Sequence, residues 1–356
     1  MSARAASLLL LVPVLLAALT AAPESAAVPQ EDRPMIIVDT DFAFYGDDAD
    51  SLLLLLRSPG IEIVGVTTTS GNVWTEQATA NVLRVLEDAG RSDIPVHPGL
   101  PSQTHQHRLR YYWEVERERW AKSAYGGALA LGREIPPPEA PPGGWAKARA
   151  ASKPAPEFIV ETVLAHPGKI TILEIGPPDN LVAAIRQEPK VVSLVKHVYV
   201  FGGALQAPGN TTASAEFNFW FDPESSEAML ESGLPLTLLP LDATHDEAFG
   251  APLQERLARA TNPFGRHVHE TVTRRLQSHP GLPVPLWDEV LTAILIKPSL
   301  VKESKQQAVE VVRERGPEYG RSRLRKREGS RTPTVNVVYR VDDAALQRLL
   351  GDLLSD

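Results

Sequence analysis

The chain has no cysteine among its 356 residues. That absence excludes a disulfide framework, a thiolate metal site, an iron–sulfur cluster and a cysteine nucleophile. Any metal site must therefore use oxygen or imidazole. An excess of positive charge is missing too: 36 Lys and Arg stand against 44 Asp and Glu, for a formal charge of −8. This speaks against a nucleic-acid partner. Neither Gly-x-Gly-x-x-Gly after a strand nor a Gly-Lys-Ser/Thr ending occurs, which argues against dinucleotide and nucleotide-phosphate binding. The apolar run Leu8–Leu19 is shorter than the roughly 20 residues of a membrane span. Arg4 precedes it and small residues ending at Ala27 follow it, so 1–27 reads as a secretory signal cleaved near Ala22 or Ala27. The expected mature chain is secreted or periplasmic, with no stable membrane insertion. Arg4 and Glu24 leave together, so its charge stays at −8.

What is present, at 43% hydrophobic content, is an ordinary globular composition. From Met35 onward short apolar runs alternate with amphipathic stretches, the pattern of βα units around a mostly parallel sheet. Strands are expected at Met35–Val38, Ile61–Thr69, Ile94–Val96, Ile170–Ile175, His197–Phe201 and Pro235–Leu239. Helices are expected at Asp48–Arg57 and Glu76–Ala89, the latter stopped by Gly90. Gln307–Val341 reads as two strands joined by a basic loop, and Asp342–Leu354 as a terminal helix capped by Asp342 or Asp343. The expected fold is α/β, an open and mostly parallel sheet with helices on both faces, forming one domain over 28–356. A proline-rich insertion near 133–156 interrupts it, and a functional lid and a plain insertion explain it equally well.

In such a sheet ligands sit beyond the carboxyl ends of the strands. Asp39-Thr40-Asp41 follows the first strand, with Asp47-Asp48 close behind; Ser70-Gly71-Asn72 follows the second. Later strands lead to Pro177-Pro178-Asp179-Asn180, to Gly202-Gly203 and Asn210, and to Asp242-Ala243-Thr244-His245. Asp39, Asp41, Asp47 and Asp48 cannot all be ionised in a low-dielectric cleft without a compensating cation. An oxygen-only donor set selects a hard ion, and Ca²⁺ tolerates irregular coordination better than Mg²⁺. Helix capping alone needs one Asp, not four. An aspartate-nucleophile phosphatase also places Asp-x-Asp after its first strand, but Ala43 stands where such enzymes carry Thr or Val.

Taken in order, these residues resemble the inosine-uridine-preferring nucleoside hydrolases. The likeness runs through Ile36–Asp41 with Asp47-Asp48-Ala49, Gly65–Thr68 with Gly71-Asn72, Gly176-Pro177 with Asn180-Leu181, and Phe201-Gly202-Gly203. It continues through Gly209-Asn210, Ala215–Asn218, Asp222-Pro223-Glu224, Leu241–His245 and Trp287-Asp288, over about 320 residues. The resemblance implies a hydrolase that cleaves the N-glycosidic bond of ribonucleosides at a bound Ca²⁺. By position it makes Asp41, Asp48 and Asp288 carboxylate ligands and the main-chain carbonyl of Asp179 a fourth; the family usually has Thr there. It makes Asp41 the general base and gives the substrate to Asp47, Asn72, Asn210, Glu216, Asn218 and Trp287.

Trp287 stands where base-nonspecific members carry a His that acts as leaving-group acid. A tryptophan cannot donate that proton but can stack on a purine, and purine-preferring members are similar in this respect. Trp74, Trp120 and Tyr125 are candidates for a second stacking ring. The expected partner is a small nucleoside; a homo-oligomeric state is left open by the sequence. A catalytically silent nucleoside- or ribose-binding protein on the same scaffold is the alternative. His245 is as well explained structurally as catalytically, and His97, His105 and His107 give no convincing metal cluster. The basic run from Arg321 to Arg331, offset by Glu318 and Glu328, reads as a solvated hairpin face.

Overall fold

A computed structural model describes residues 33–121, 125–326 and 332–355. The expected signal segment 1–27 lies outside the described residues, as do Arg327, Glu328 and Arg331. Among the described residues, no helix is long and apolar enough to cross a membrane.

Eight strands form the main sheet: β1 (Met35–Thr40), β2 (Glu62–Thr68), β3 (Val96–Pro98), β4 (Ile170–Glu174), β5 (His197–Phe201), β6 (Leu236–Leu239), β7 (Val301–Gln307) and β10 (Val335–Val341). A two-stranded ribbon pairs β8 (Val309–Val311) with β9 (Ser322–Leu324). The main order is β3-β2-β1-β4-β5-β6-β10-β7, parallel throughout except for β7 against β10. Chain direction across the sheet reverses between β1 and β4, where a ligand crevice is expected.

The central strands are apolar on both faces because helices cover both. Ile36 and Val38 enter one core cluster and Ile37 the other, as period-two alternation requires. The first face is packed by α1 (Asp47–Leu56) and α2 (Thr75–Asp88). The second is packed by α3 (Ala155–Ala165) and α4 (Asp179–Gln187). Of the later helices, α5 (Phe217–Phe221) enters a third, aromatic cluster. Helices α6 (Pro263–Ser278), α7 (Asp288–Ile296) and α8 (Asp343–Leu354) complete the first face. Asp342 caps α8 by accepting from the Ala345 N–H at 3.0 Å. The third cluster joins Trp74, Leu109, Tyr112, Leu129, Phe217 and Trp220.

Two expectations change. The region 307–341 holds more than two strands: β7 begins earlier, at Val301, and β8 and β9 form a separate ribbon. The reading missed β7 because it is an edge strand with a largely polar sequence, Val-Lys-Glu-Ser-Lys-Gln-Gln, as suits an edge that must not template further pairing. On the ribbon, Arg323 and Arg325 bind Glu310 at 2.6 and 2.8 Å, so this basic stretch is internally neutralised. The proline-rich segment is a strap on the sheet's outer edge. Glu139 exchanges hydrogen bonds with Gln77 on α2, and the Ala151 N–H donates to the Val96 carbonyl at 2.8 Å.

Candidate active site

The site grows out of the end of β1. Asp39 is still inside the sheet, level with Thr67 and Glu174 on the neighbouring strands. Its Oδ1 accepts from Thr67 Oγ1 at 2.7 Å and Asn180 Nδ2 at 2.9 Å. Burial raises its pKa to about 6, and burial with the nearby Asp39 charge pushes Glu174 well above the usual carboxylate range. Asp39 is therefore a scaffold carboxyl beneath the site, and the acidic group facing the cleft is smaller than the sequence suggests.

Two residues later the strand ends and Asp41 reaches the rim. Its Oδ2 accepts the Asn72 N–H at 2.5 Å. The Asn72 side-chain amide bridges outward, donating to Asp41 Oδ1 at 3.3 Å and to Asp48 Oδ2 at 2.9 Å. Thr40 Oγ1 donates to the other oxygen of Asp48. Gly71 makes this closeness feasible, since a Cβ there would overlap the Asp41 carboxylate.

Two helix N-termini supply the remaining acids. Asp47 and Asp48 open α1, Asp288 opens α7, and the positive end of each helix dipole favours negative charge there. Carboxylate oxygens of Asp47, Asp48 and Asp288 all lie within 4.8 Å of one another. Burial and mutual repulsion raise their affinity for protons: Asp48 is pushed to about 7, by burial and then by Asp47, and Asp41 and Asp288 go well above the usual range. Among the described residues, no Lys, Arg or His is ion-paired with Asp41, Asp48 or Asp288. A buried, oxygen-only set with no cationic partner fits a hard divalent ion.

Asp179 contributes differently. Its Oδ1 accepts from Thr69 Oγ1 at 2.5 Å, and Oδ2 lies 3.4 Å from His105 Nε2. Its carboxylate is therefore engaged away from the Asp47–Asp48–Asp288 group. His105 thus belongs to Asp179, while His97 bonds the Lys153 carbonyl on the strap; the histidines form no cluster.

Glu216 is the N-cap of α5. Its carboxylate accepts from the N–H groups of Asn218 at 2.9 Å, Phe219 at 3.1 Å and Gly203 at 2.9 Å. Asn210 Oδ1 holds the Phe217 N–H at 2.9 Å. The Asn218 amide donates to the carbonyls of Ile175 and Phe201 at 3.3 and 3.2 Å, pinning it across the ends of β4 and β5. These three residues build the loop they sit on, so their geometry is fixed before any ligand arrives.

Trp287 is half-buried immediately before Asp288. Of the proposed second stacking rings, Trp74 is core, 2% exposed, and Trp120 lies half-buried against the aromatic cluster. Tyr125 is 51% exposed, and its hydroxyl donates to Asn72 Oδ1 at 2.9 Å. His245 is exposed at the end of a short helix and joins none of these groups.

Sequence reasoning missed Glu289 and Asp50, both buried behind the cluster with pKa values pushed well up by burial first. Glu289 accepts the Trp287 N–H at 2.9 Å. The adjacency Asp288-Glu289 was the available signal. Arg275 on α6 was missed as well, because helical amphipathicity alone makes it a surface residue.

An open parallel sheet with an acidic cluster at its switch point is the layout of an α/β enzyme acting on a small molecule. Residues 36–348 match the inosine-uridine preferring nucleoside hydrolase family, and the chain belongs to it. A probable uridine nucleosidase 2 from Arabidopsis thaliana is 30% identical over 91% of this chain and 98% of its own length. The pyrimidine-specific ribonucleoside hydrolase RihB of Escherichia coli is 27% identical over 82% of this chain and 87% of its own. Among solved structures, a plant nucleoside hydrolase superposes with a TM-score of 0.74 at 29% identity, covering 90% of this chain and 99% of its own. The protein is a hydrolase acting on the N-glycosidic bonds of ribonucleosides.

Proposed function

We propose that this enzyme uses one Ca²⁺ at Asp41, Asp48, Asp288 and the Asp179 main-chain oxygen to hydrolyse ribonucleosides, with a lean toward purines. The observation that carries the reading is the convergence of Asp47, Asp48 and Asp288 within 4.8 Å beside Asp41, with Asp41, Asp48 and Asp288 buried and, among the described residues, not ion-paired with any cation. A Ca²⁺ bound there would neutralise the clustered charge and make a nearby water more acidic. Asp41, oriented by the two Asn72 N–H groups, takes the proton of the attacking water. Asp47, Asn210, Glu216 and Asn218 hold the ribose hydroxyls, and their negative and amide oxygens favour the positive charge that develops at C1′ as the bond to the base breaks. The half-buried indole of Trp287 offers a flat face on which a purine ring can stack, although the named relatives act on uridine or pyrimidine nucleosides. Export directed by residues 1–27 belongs to the same reading.

The test is base release from inosine, adenosine, uridine and cytidine by purified protein, with Ca²⁺ and with EDTA. Purine release abolished by EDTA and restored by Ca²⁺ is expected. Turnover indifferent to chelation would overturn the metal role, a higher kcat/KM on uridine would overturn the purine lean, and binding without release would leave the silent-scaffold alternative. N-terminal sequencing of exported material tests the cleavage site.

A further inference from the structure

Hydrolysis by this site leaves one chemical demand without an assigned residue. The bonding pair of the C1′–N bond departs with the base, and Trp287 occupies the position next to Asp288 where it can offer no useful proton. Some other group must meet the charge on the leaving nitrogen heterocycle.

Helix α6 brings a guanidinium to that side. The helix is fixed against the Asp41–Asp47 loop, because His267 bonds the Phe44 carbonyl at 2.9 Å and packs against the rings of Phe44 and Tyr45. Two arginines then follow in sequence with different fates. Arg274 pairs with Glu270 at 2.8 Å and lies over the Tyr45 ring at 4.3 Å. Arg275 lies over the Trp287 ring, its Cζ 5.7 Å from the ring centroid. Among the described residues its guanidinium has neither a hydrogen bond nor an ion pair. Its place over Trp287, the residue that precedes Asp288 and whose N–H is held by Glu289 at 2.9 Å, brings that charge beside the acidic cluster.

On the ribonucleoside hydrolase reading above, we propose that Arg275 is the group that stabilises the departing base, and that it favours bases presenting a carbonyl acceptor, as in hypoxanthine or guanine, over adenine. In the step, the water oxygen bonds to C1′ while the C1′–N bond breaks. The electron pair stays on the base nitrogen, the water proton goes to Asp41, and the base anion is neutralised by a proton from solvent after it leaves. Arg275 transfers no proton in this step and contributes N–H donors and charge. A guanidinium matches adjacent O6 and N7 acceptors of a 6-oxopurine in bidentate fashion, whereas adenine offers a donor at the exocyclic position.

The test compares natural nucleosides with 4-nitrophenyl β-D-ribofuranoside, whose leaving group departs as a stable anion without assistance. Arg275→Met should lower kcat on inosine by about a hundredfold, the lower end of the loss seen when one preorganised donor is removed. It should leave the nitrophenyl riboside within about threefold on the same scale and shrink the inosine-to-adenosine ratio of kcat/KM. Arg275→Lys should recover part of the loss on inosine. Arg274→Met, one residue away and engaged elsewhere, should change neither substrate. Equal losses on inosine and the nitrophenyl riboside would overturn the proposal, since they would place Arg275 in sugar binding or folding; so would an Arg275→Met enzyme with unchanged kcat on inosine. Wild-type protein that cleaves neither substrate would overturn the hydrolase reading itself, and the Arg275 assignment with it.

Discussion

The hydroxyl of Tyr125 donates to Oδ1 of Asn72 at 2.9 Å, and this settles which way the Asn72 amide faces. With its oxygen held by Tyr125, the amide must turn its N–H₂ toward Asp41 and Asp48. The Tyr125 carbonyl accepts in turn from Thr211, next to Asn210. One residue on an exposed loop thus links Asn72, which bridges Asp41 and Asp48, to the segment that carries Asn210. Tyr125→Phe removes the hydroxyl and little else, and a net hydrogen bond is worth about 0.5–1.5 kcal/mol. kcat/KM should fall about twofold to tenfold, with the melting temperature lowered by no more than about 4 °C. Steady-state kinetics beside a thermal melt check this, and a drop in melting temperature without a kinetic effect would contradict it.

Much of the fold was legible because the central strands bury both faces. Ile36-Ile37-Val38 and Ile170–Glu174 read as strands from hydrophobicity alone, and the acidic residues after β1 marked the site. β7 was not legible, since its alternation is polar on an exposed edge. The different fates of Asp39 and Asp41 were also hidden. Two residues apart in sequence, both point to the same face of the strand line, and only the strand's end at Thr40 separates the carboxyl bonded to Asn180 within the sheet from the one at the rim. Arg275 gave no local signal, because its importance comes from Trp287, twelve residues on and just ahead of α7.

Asp41→Asn should separate chemistry from stability. The substitution keeps the size and one acceptor for the Asn72 N–H but removes the base, so kcat should drop by about 10²–10⁴. It also deletes a negative charge facing Asp48 in a buried cluster. In EDTA the variant should melt above the wild type, and added Ca²⁺ should narrow or reverse that difference. A variant that is less stable than wild type in EDTA would show that the repulsion is not the dominant contribution at this position.

The same cluster sets a pH dependence with a definite sign. Asp48 and Glu216 have folded-state pKa values of about 7, raised chiefly by burial, against ordinary values of 3.8 and 4.5. Between those limits the folded protein binds more protons than the unfolded chain, so stability must fall as pH rises. Metal-free protein should therefore be more stable at pH 5 than at pH 8. Ca²⁺ binds the ionised cluster, so its stabilising increment should be larger at pH 8. Thermal melts at both pH values, in EDTA and in Ca²⁺, measure the four quantities; an increment larger at pH 5 would refute the assignment of Asp41, Asp48 and Asp288 as the metal's partners.

Arg108 tests how the site is supported from behind. Its guanidinium is buried, ion-paired with Glu116, and it donates to the carbonyls of Phe221 at 3.1 Å and Trp220 at 3.2 Å. Those carbonyls end α5, the helix that carries Asn218, and Cζ lies 4.5 Å from the Trp220 ring centroid. Arg108→Met keeps the aliphatic stem but leaves the buried Glu116 without its counter-ion, a change of the kind that costs about 3–5 kcal/mol. Replacing both partners, as in Arg108→Met with Glu116→Leu, removes the stranded charge and should recover a large part of that loss. Urea denaturation of the two variants gives the comparison directly. If the single variant lost no more than about 1 kcal/mol, the ordinary scale of an exposed pair, Arg108 would not be anchoring the C-terminal end of α5, and the placement of Asn218 would have to rest on its own bonds to Ile175 and Phe201.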